Sequence, residues 1–270
     1  GVAPPTRVSL TVAEAEALGR DADLIQAVVP EMQAGDIATQ GRAWYVLVLA
    51  NVWRGRPREV AIQGSAALTL LERTSERYWL GMTHCMLGLN DALGGAFESA
   101  LAHEVRTSEI GEVIGSTRLL SYSDWATGTI RAFMGDAELG IAACRRSLER
   151  SPDPFNTATA LGFLGYAHLQ AGQSREAIRH LEQAIELFAR FRYRHVQGLF
   201  TAYLSEAVYR TGDLAAAARR DEALHGTAVP PLQTLHRGVP RSRRRGLRRG
   251  RGPQGRVRRL SGLRRRQEAV

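Results

Sequence analysis

The sequence predicts an all-α fold, a helical-hairpin solenoid of about five helix pairs. Three observations carry this. Apolar residues recur at i, i+3, i+4 and i+7 through most of residues 41–224. Glycines interrupt these runs once every few tens of residues, where a helix would end and the chain turn back. Period-two alternation of the kind that marks strands is almost absent.

Taken in order, residues 1–40 form a lead-in, with one or two helices expected within 11–34. The first pair spans 41–72 and turns at Gly55, within "YVLVLANVWRGRPREVAIQGSAALTLLE". The second spans 77–108 and is expected to turn near Gly88, with Gly95 as an alternative. The third, 116–150, turns at Gly135, and the fifth, 195–224, at Gly212. The fourth, 156–190, is the clearest: in "LGFLGYAHLQAGQSREAIRHLEQAIEL" Gly172 ends one helix and Ser174 caps the next. The second helix then carries Ala177, Ile178, Leu181, Ala184 and Ile185 as one apolar stripe. These boundaries leave 41–224 as a repeat domain and 225–270 as a tail.

Charge divides the same way. The chain has 36 basic residues, all arginine, and 27 acidic ones. Residues 226–270 hold 14 arginines and a single acid, Glu268, whereas the body has 22 basic and 26 acidic side chains. The body therefore has no global attraction for phosphate, and nucleic acid is a partner only through the tail. The tail lacks an aromatic residue for base stacking. Its arginine, glycine and proline are what GC-rich DNA encodes when read out of frame, so a disordered or frameshifted end is expected.

Enzyme signatures fail. Without lysine there is no phosphate-binding loop of the G-x-x-x-x-G-K type, and neither G-x-S-x-G nor H-E-x-x-H occurs. His84, Cys85 and His103 are the nearest approach to a metal cluster, but adjacent helical residues diverge by about 100° and rarely share an ion. No metal, cofactor or catalytic residue is expected. Cys85 and Cys144 are expected to be small buried hydrophobes. The first residues, "GVAPPTRVSL", lack the apolar core of a signal peptide and look like an internal start; a cytoplasmic protein is expected.

The fourth pair resembles the tetratricopeptide repeat: Leu164, Gly165, His168, Gly172, Ala177, Leu181 and Ala184 stand at that family's spacing. The second pair offers Leu80, Gly81, His84 and Gly88, and the third has Gly140 at the small position and Pro152 at its end. Phrases such as "ERSPDPFNTATALGFLGYAHLQAG" are similar to the C-terminal helical repeats of bacterial signalling proteins. In those a class III adenylate or guanylate cyclase domain and an AAA-type ATPase domain precede the repeats. The resemblance implies a non-catalytic module for protein–protein interaction and signal transduction. In the family, the first helix of each pair faces a concave groove, and the position two residues before the Leu of Leu-Gly points into it. Carried over, that position is Tyr45, Tyr78, Trp125, Gly162 and Ala202, with Tyr122, Tyr166, Glu206 and Tyr209 nearby. A protein or peptide partner would lie on these residues; the alternative is that the rings pack between helices. No membrane partner is implied.

Overall fold

The computed structural model describes residues 35–191 and 194–213. The expected lead-in helices at 11–34, the second helix of pair five and the arginine-rich tail at 225–270 lie outside the described residues. Among the described residues there are nine α-helices and no strand: α1 Ile37–Trp53, α2 Pro57–Leu71, α3 Arg77–Gly94, α4 Phe97–Val113, α5 Thr117–Met134, α6 Ala137–Glu149, α7 Pro154–Gln170, α8 Ser174–Phe191 and α9 Arg194–Thr211. They pair as α1/α2, α3/α4, α5/α6 and α7/α8, and α9 begins a fifth hairpin.

The turn of the second hairpin corrects the expectation. Gly88 is inside α3, and the chain reverses at Gly95. Only a residue without Cβ adopts φ +85° there at little cost. That conformation lets Ala96 N–H donate to the Asp91 carbonyl and Gly95 N–H to that of Ala92, which closes the helix end. With Gly95 in place, the turn glycines Gly55, Gly95, Gly135, Gly172 and Gly212 are spaced 40, 40, 37 and 40 residues. The irregularity expected from the sequence disappears.

Helix starts are equally local. Asp36 accepts from the backbone N–H of Ala38 and Thr39, each at 3.1 Å, and from the Thr39 hydroxyl at 2.7 Å. These bonds, the Thr39 hydroxyl first, hold its carboxyl below the usual range. Asp153 caps α7 through Asn156 N–H, with Pro154 in the first turn where no N–H is missed.

The first helix of each pair touches the first helix of the next, α1 to α3, α3 to α5, α5 to α7 and α7 to α9, while successive second helices meet marginally at most. First helices are accordingly the more enclosed; α7 is buried along almost its whole length. Gly88, Gly128 and Gly165 stand seven residues before their turns. They let each first helix approach its partner closely. A Cβ on Gly128 would come within 2.8 Å of the Gly140 carbonyl, and one on Gly165 within 2.6 Å of Leu181. One hydrophobic cluster runs from α1 to α9, and a small second one joins Ala92, Ala100 and Ile130.

Candidate functional site

Three of the residues expected in a groove are enclosed instead: Tyr45 is 2 %, Trp125 1 % and Tyr166 3 % exposed. Trp125 stacks on Phe163, centroids 4.4 Å apart and planes 5° apart, and Phe163 meets the edge of Phe200 at 5.2 Å. Tyr166 lies 4.6 Å from Tyr203, and Tyr45 lies 5.2 Å from Trp79. The Phe200 ring sits directly over Gly162, where any side chain would collide with it. These rings join one first helix to the next, and for them the packing alternative holds.

Tyr78, Tyr122 and Glu206 are half-buried, and Tyr209 is 61 % exposed. The structure corrects the register of Tyr78. In hairpin two the Leu-Gly equivalent to Leu164-Gly165 is Leu87-Gly88, so the position expected to face a groove falls on Cys85, which is fully buried. Tyr78 stands one full heptad earlier. There it joins Tyr122, Arg118 and Asp153 at the N-terminal ends of α3, α5 and α7. Arg118 pairs with Asp153 at 2.5 Å, and both charges act on the two phenols, which burial pushes above their ordinary range. At the other end of this layer Arg210 binds Glu206 at 2.5 Å and donates to the Leu169 carbonyl at 2.7 Å. Tyr209 is adjacent in α9. The expected residues thus fall into two patches. Sequence reading missed Arg118, Asp153 and Arg210, because the contacts that place the first two lie 35 residues apart and span two hairpins.

A second pattern lies nearer the turns. Four residues before the turn glycines of hairpins one to four, where the resemblance places an aromatic, stand Asn51, Asp91, Arg131 and His168, all polar. Opposite them, eight residues after the turn, stand Gln63, His103, Ala143 and His180. Asn51 Nδ2 donates to Gln63 Oε1 at 3.0 Å; Asp91 is 3.9 Å from His103 Nε2; the His168 and His180 rings stack at 5.3 Å. Ala143 offers nothing polar, and Arg131 instead reaches Asp136 at 3.6 Å. Each hairpin with a polar partner available is therefore bridged by a polar rung. The sequence does hold a trace of it, the histidine pairs, but in hairpin two the misplaced turn hid which residues face each other.

One position departs from the repeat chemistry. Nine residues after the turn the chain has Gly64, Glu104, Cys144 and Leu181. Glu104 is 1 % exposed and neither carboxyl oxygen has a hydrogen-bond partner. The Cys85 thiol, a weak donor, lies against it. Burial pushes the Glu104 carboxyl well above its usual range and the Cys85 thiol likewise, so both favour their neutral forms. Cys85 and Cys144 are free and buried, as small hydrophobes. Among the described residues no group of three or more His, Cys, Asp or Glu side chains is placed to hold a metal ion. Among them, too, no helix is long and apolar enough to cross a membrane.

Hairpins three and four, paired by close glycine contacts and closed by turns at Gly135 and Gly172, coincide with a match to the tetratricopeptide-repeat family model over residues 124–190. The match supports a tetratricopeptide-repeat region over this stretch. No curated protein matches the chain. Such repeats serve in general as protein–protein interaction modules, and the all-helical hairpin fold of the described residues agrees with that assignment.

Proposed function

We propose that this chain is a non-catalytic regulatory module that binds a protein or peptide partner on its layer of first helices. It would be a cytoplasmic piece of a larger bacterial signalling protein of the cyclase–ATPase type. The observation that carries the binding role is the repeat match at 124–190 on hairpins whose first helices are packed side by side. On that layer the partner meets Tyr78, Tyr122, Arg118 and Asp153 at one end and Glu206, Tyr209 and Arg210 at the other. Half-buried tyrosines offer large contact area with little entropy to lose. The signalling parent rests on sequence resemblance alone.

The test is capture of partners by the full chain against Tyr78→Ala, Tyr122→Ala and Tyr209→Ala. Weakened capture with helicity intact by circular dichroism supports the reading; undiminished capture by all three overturns it. Neither ATP turnover nor nucleotide cyclisation is expected from the chain. A nucleic-acid role rests on the 14 arginines of 226–270. It predicts binding that weakens by about 0.9 log units per log unit of salt for every phosphate contact on duplex DNA.

A further inference from the structure

His103 and His180 occupy the same place in hairpins two and four, and each meets a second histidine from the facing first helix. In hairpin two, His84 Nδ1 and His103 Nδ1 are 2.9 Å apart and the ring centroids 5.2 Å apart. The centroid separation is roughly the nitrogen separation plus one ring radius at each end, so the nitrogens meet nearly head-on. Two lone pairs converging sideways on one ion would not have this geometry. A single N–H···N bond, with one proton between the rings, does. Asp91 beside His103 Nε2 favours the tautomer protonated there, which leaves His103 Nδ1 to accept and His84 Nδ1–H to donate. One added proton leaves this bond in place, on an imidazolium donating to a neutral ring; a second, charging both rings, would set two N–H groups against each other.

Hairpin four reaches the same constraint by another arrangement. The His168 and His180 rings are stacked, planes 17° apart. His168 Nδ1 meets Gln173 Oε1 at 2.6 Å, and the Arg179 guanidinium faces His180 Nε2 at 3.3 Å. Arginine only donates, so His180 Nε2 is the acceptor and the ring is neutral. His168 Nε2 and His180 Nδ1 are buried without hydrogen-bond partners.

The charged surroundings do not offset an added proton. Hairpin two is acted on by Asp91 of α3 and Arg106 of α4. Of the helices packed against it, α5 carries Asp124, held by Arg146 and Arg150; α1 carries Arg42, held by Glu76; and α2 carries Arg58 and Glu59. Around hairpin four stand Arg179 and Glu176 of α8 and Arg145 of α6, with Glu138 of α6 bonded to Gln173. On α5, Arg131 is engaged with Asp136, and on α9, Glu206 and Arg210 are engaged with each other.

The geometry points to a proton-sensitive repeat array: uptake from solvent of a second proton by the His84–His103 pair, and of a proton by the His168–His180 stack, loosens hairpins two and four in mild acid. Burial first, and then the neighbouring histidine and Arg106, depress His84 from the ordinary 6.5 to about 4. Burial, Arg179 and His168 do the same to His180, to about 4, and burial lowers His103. The unfolded chain therefore takes up protons before the folded one. The histidines' contribution to stability is full above about pH 6.5 and is lost as pH falls towards 4.

The experiment is the thermal midpoint of the full chain between pH 7.5 and 5, against the double variant His103→Gln/His180→Gln; glutamine is what hairpin one carries at this position, as Gln63. Relative to the variant, which keeps Glu104, the wild type should lose about tenfold or more in its folding equilibrium for each pair between pH 7.5 and 5. Parallel losses overturn the proposal. Imidazole titration by heteronuclear NMR on the wild type decides independently of how the variant folds. His84 and His180 titrating well below free histidine uphold it, and ordinary values for both sink it.

Discussion

Hairpins two and four have the same geometry and opposite interiors. In both, a glycine seven residues before the turn, Gly88 or Gly165, brings the helices together, and an alanine, Ala100 or Ala177, is buried at the contact. Four residues on, hairpin four packs Leu181 against Gly165, while hairpin two places the Glu104 carboxyl against Gly88. The backbone spacing therefore sets the hairpin, and the residue filling the space is free to be apolar or polar at an energetic cost. Hairpin four is built for stability at that point; hairpin two keeps a neutral acid next to a thiol.

Exchanging the interiors should break the comparison. Leu181→Glu removes the apolar packing and inserts an unpartnered acid, and should cost roughly 2–5 kcal/mol by chemical denaturation. Ala177→Leu overfills the contact of α7 with α8 and should cost about 1–3 kcal/mol. Neighbouring repeats share stability, so the midpoint of the whole array should drop; an unchanged midpoint would mean that Ala177 is not at the closest approach.

The reverse exchange should sharpen it. Glu104→Leu should stabilise by about 1–3 kcal/mol, the usual penalty of an unsatisfied buried polar group. Its advantage should grow with pH. The folded carboxyl is raised above the ordinary 4.5, so the contribution of Glu104 to stability is highest below that value and falls as pH rises through the folded pKa. Smallest is Gln63→Ala in hairpin one, which leaves Asn51 Nδ2 without its acceptor and should cost about 0.5–1.5 kcal/mol. That rung has no titrating member, so the loss should be flat between pH 7.5 and 5.

The fold was legible because its signals are local. Helical periodicity and the turns at Gly55, Gly135, Gly172 and Gly212 depend on residues a few positions apart; the expected cap was one residue off, since Ser174 is already the first residue of α8. Hairpin two misled because Leu80-Gly81 and Leu87-Gly88 both fit the motif, seven residues apart on one helix face. Gly81 closes on Leu119 of the following hairpin, whereas Gly88 closes on its own partner α4. Motif spacing does not distinguish a contact within a pair from one between pairs. The aromatic residues failed for a related reason. Whether Trp125 faces solvent or Phe163 depends on the next first helix, 38 residues on, and on Gly162 leaving room for Phe200. The Glu104 carboxyl and the histidine rungs were invisible until the register was known.

The Trp125–Phe163 stack has an optical consequence. The chain's four tryptophans are Trp44, Trp53, Trp79 and Trp125, so every indole lies in hairpins one to three and Trp125 alone is fully enclosed. Trp125 should emit to the blue of the other three. Its red shift on unfolding reports the joint between hairpins three and four, and no indole reports beyond it. In a quasi-one-dimensional array the ends can melt separately. A fluorescence midpoint above that of the helical signal at 222 nm would then show α9 and the far side of hairpin four fraying first.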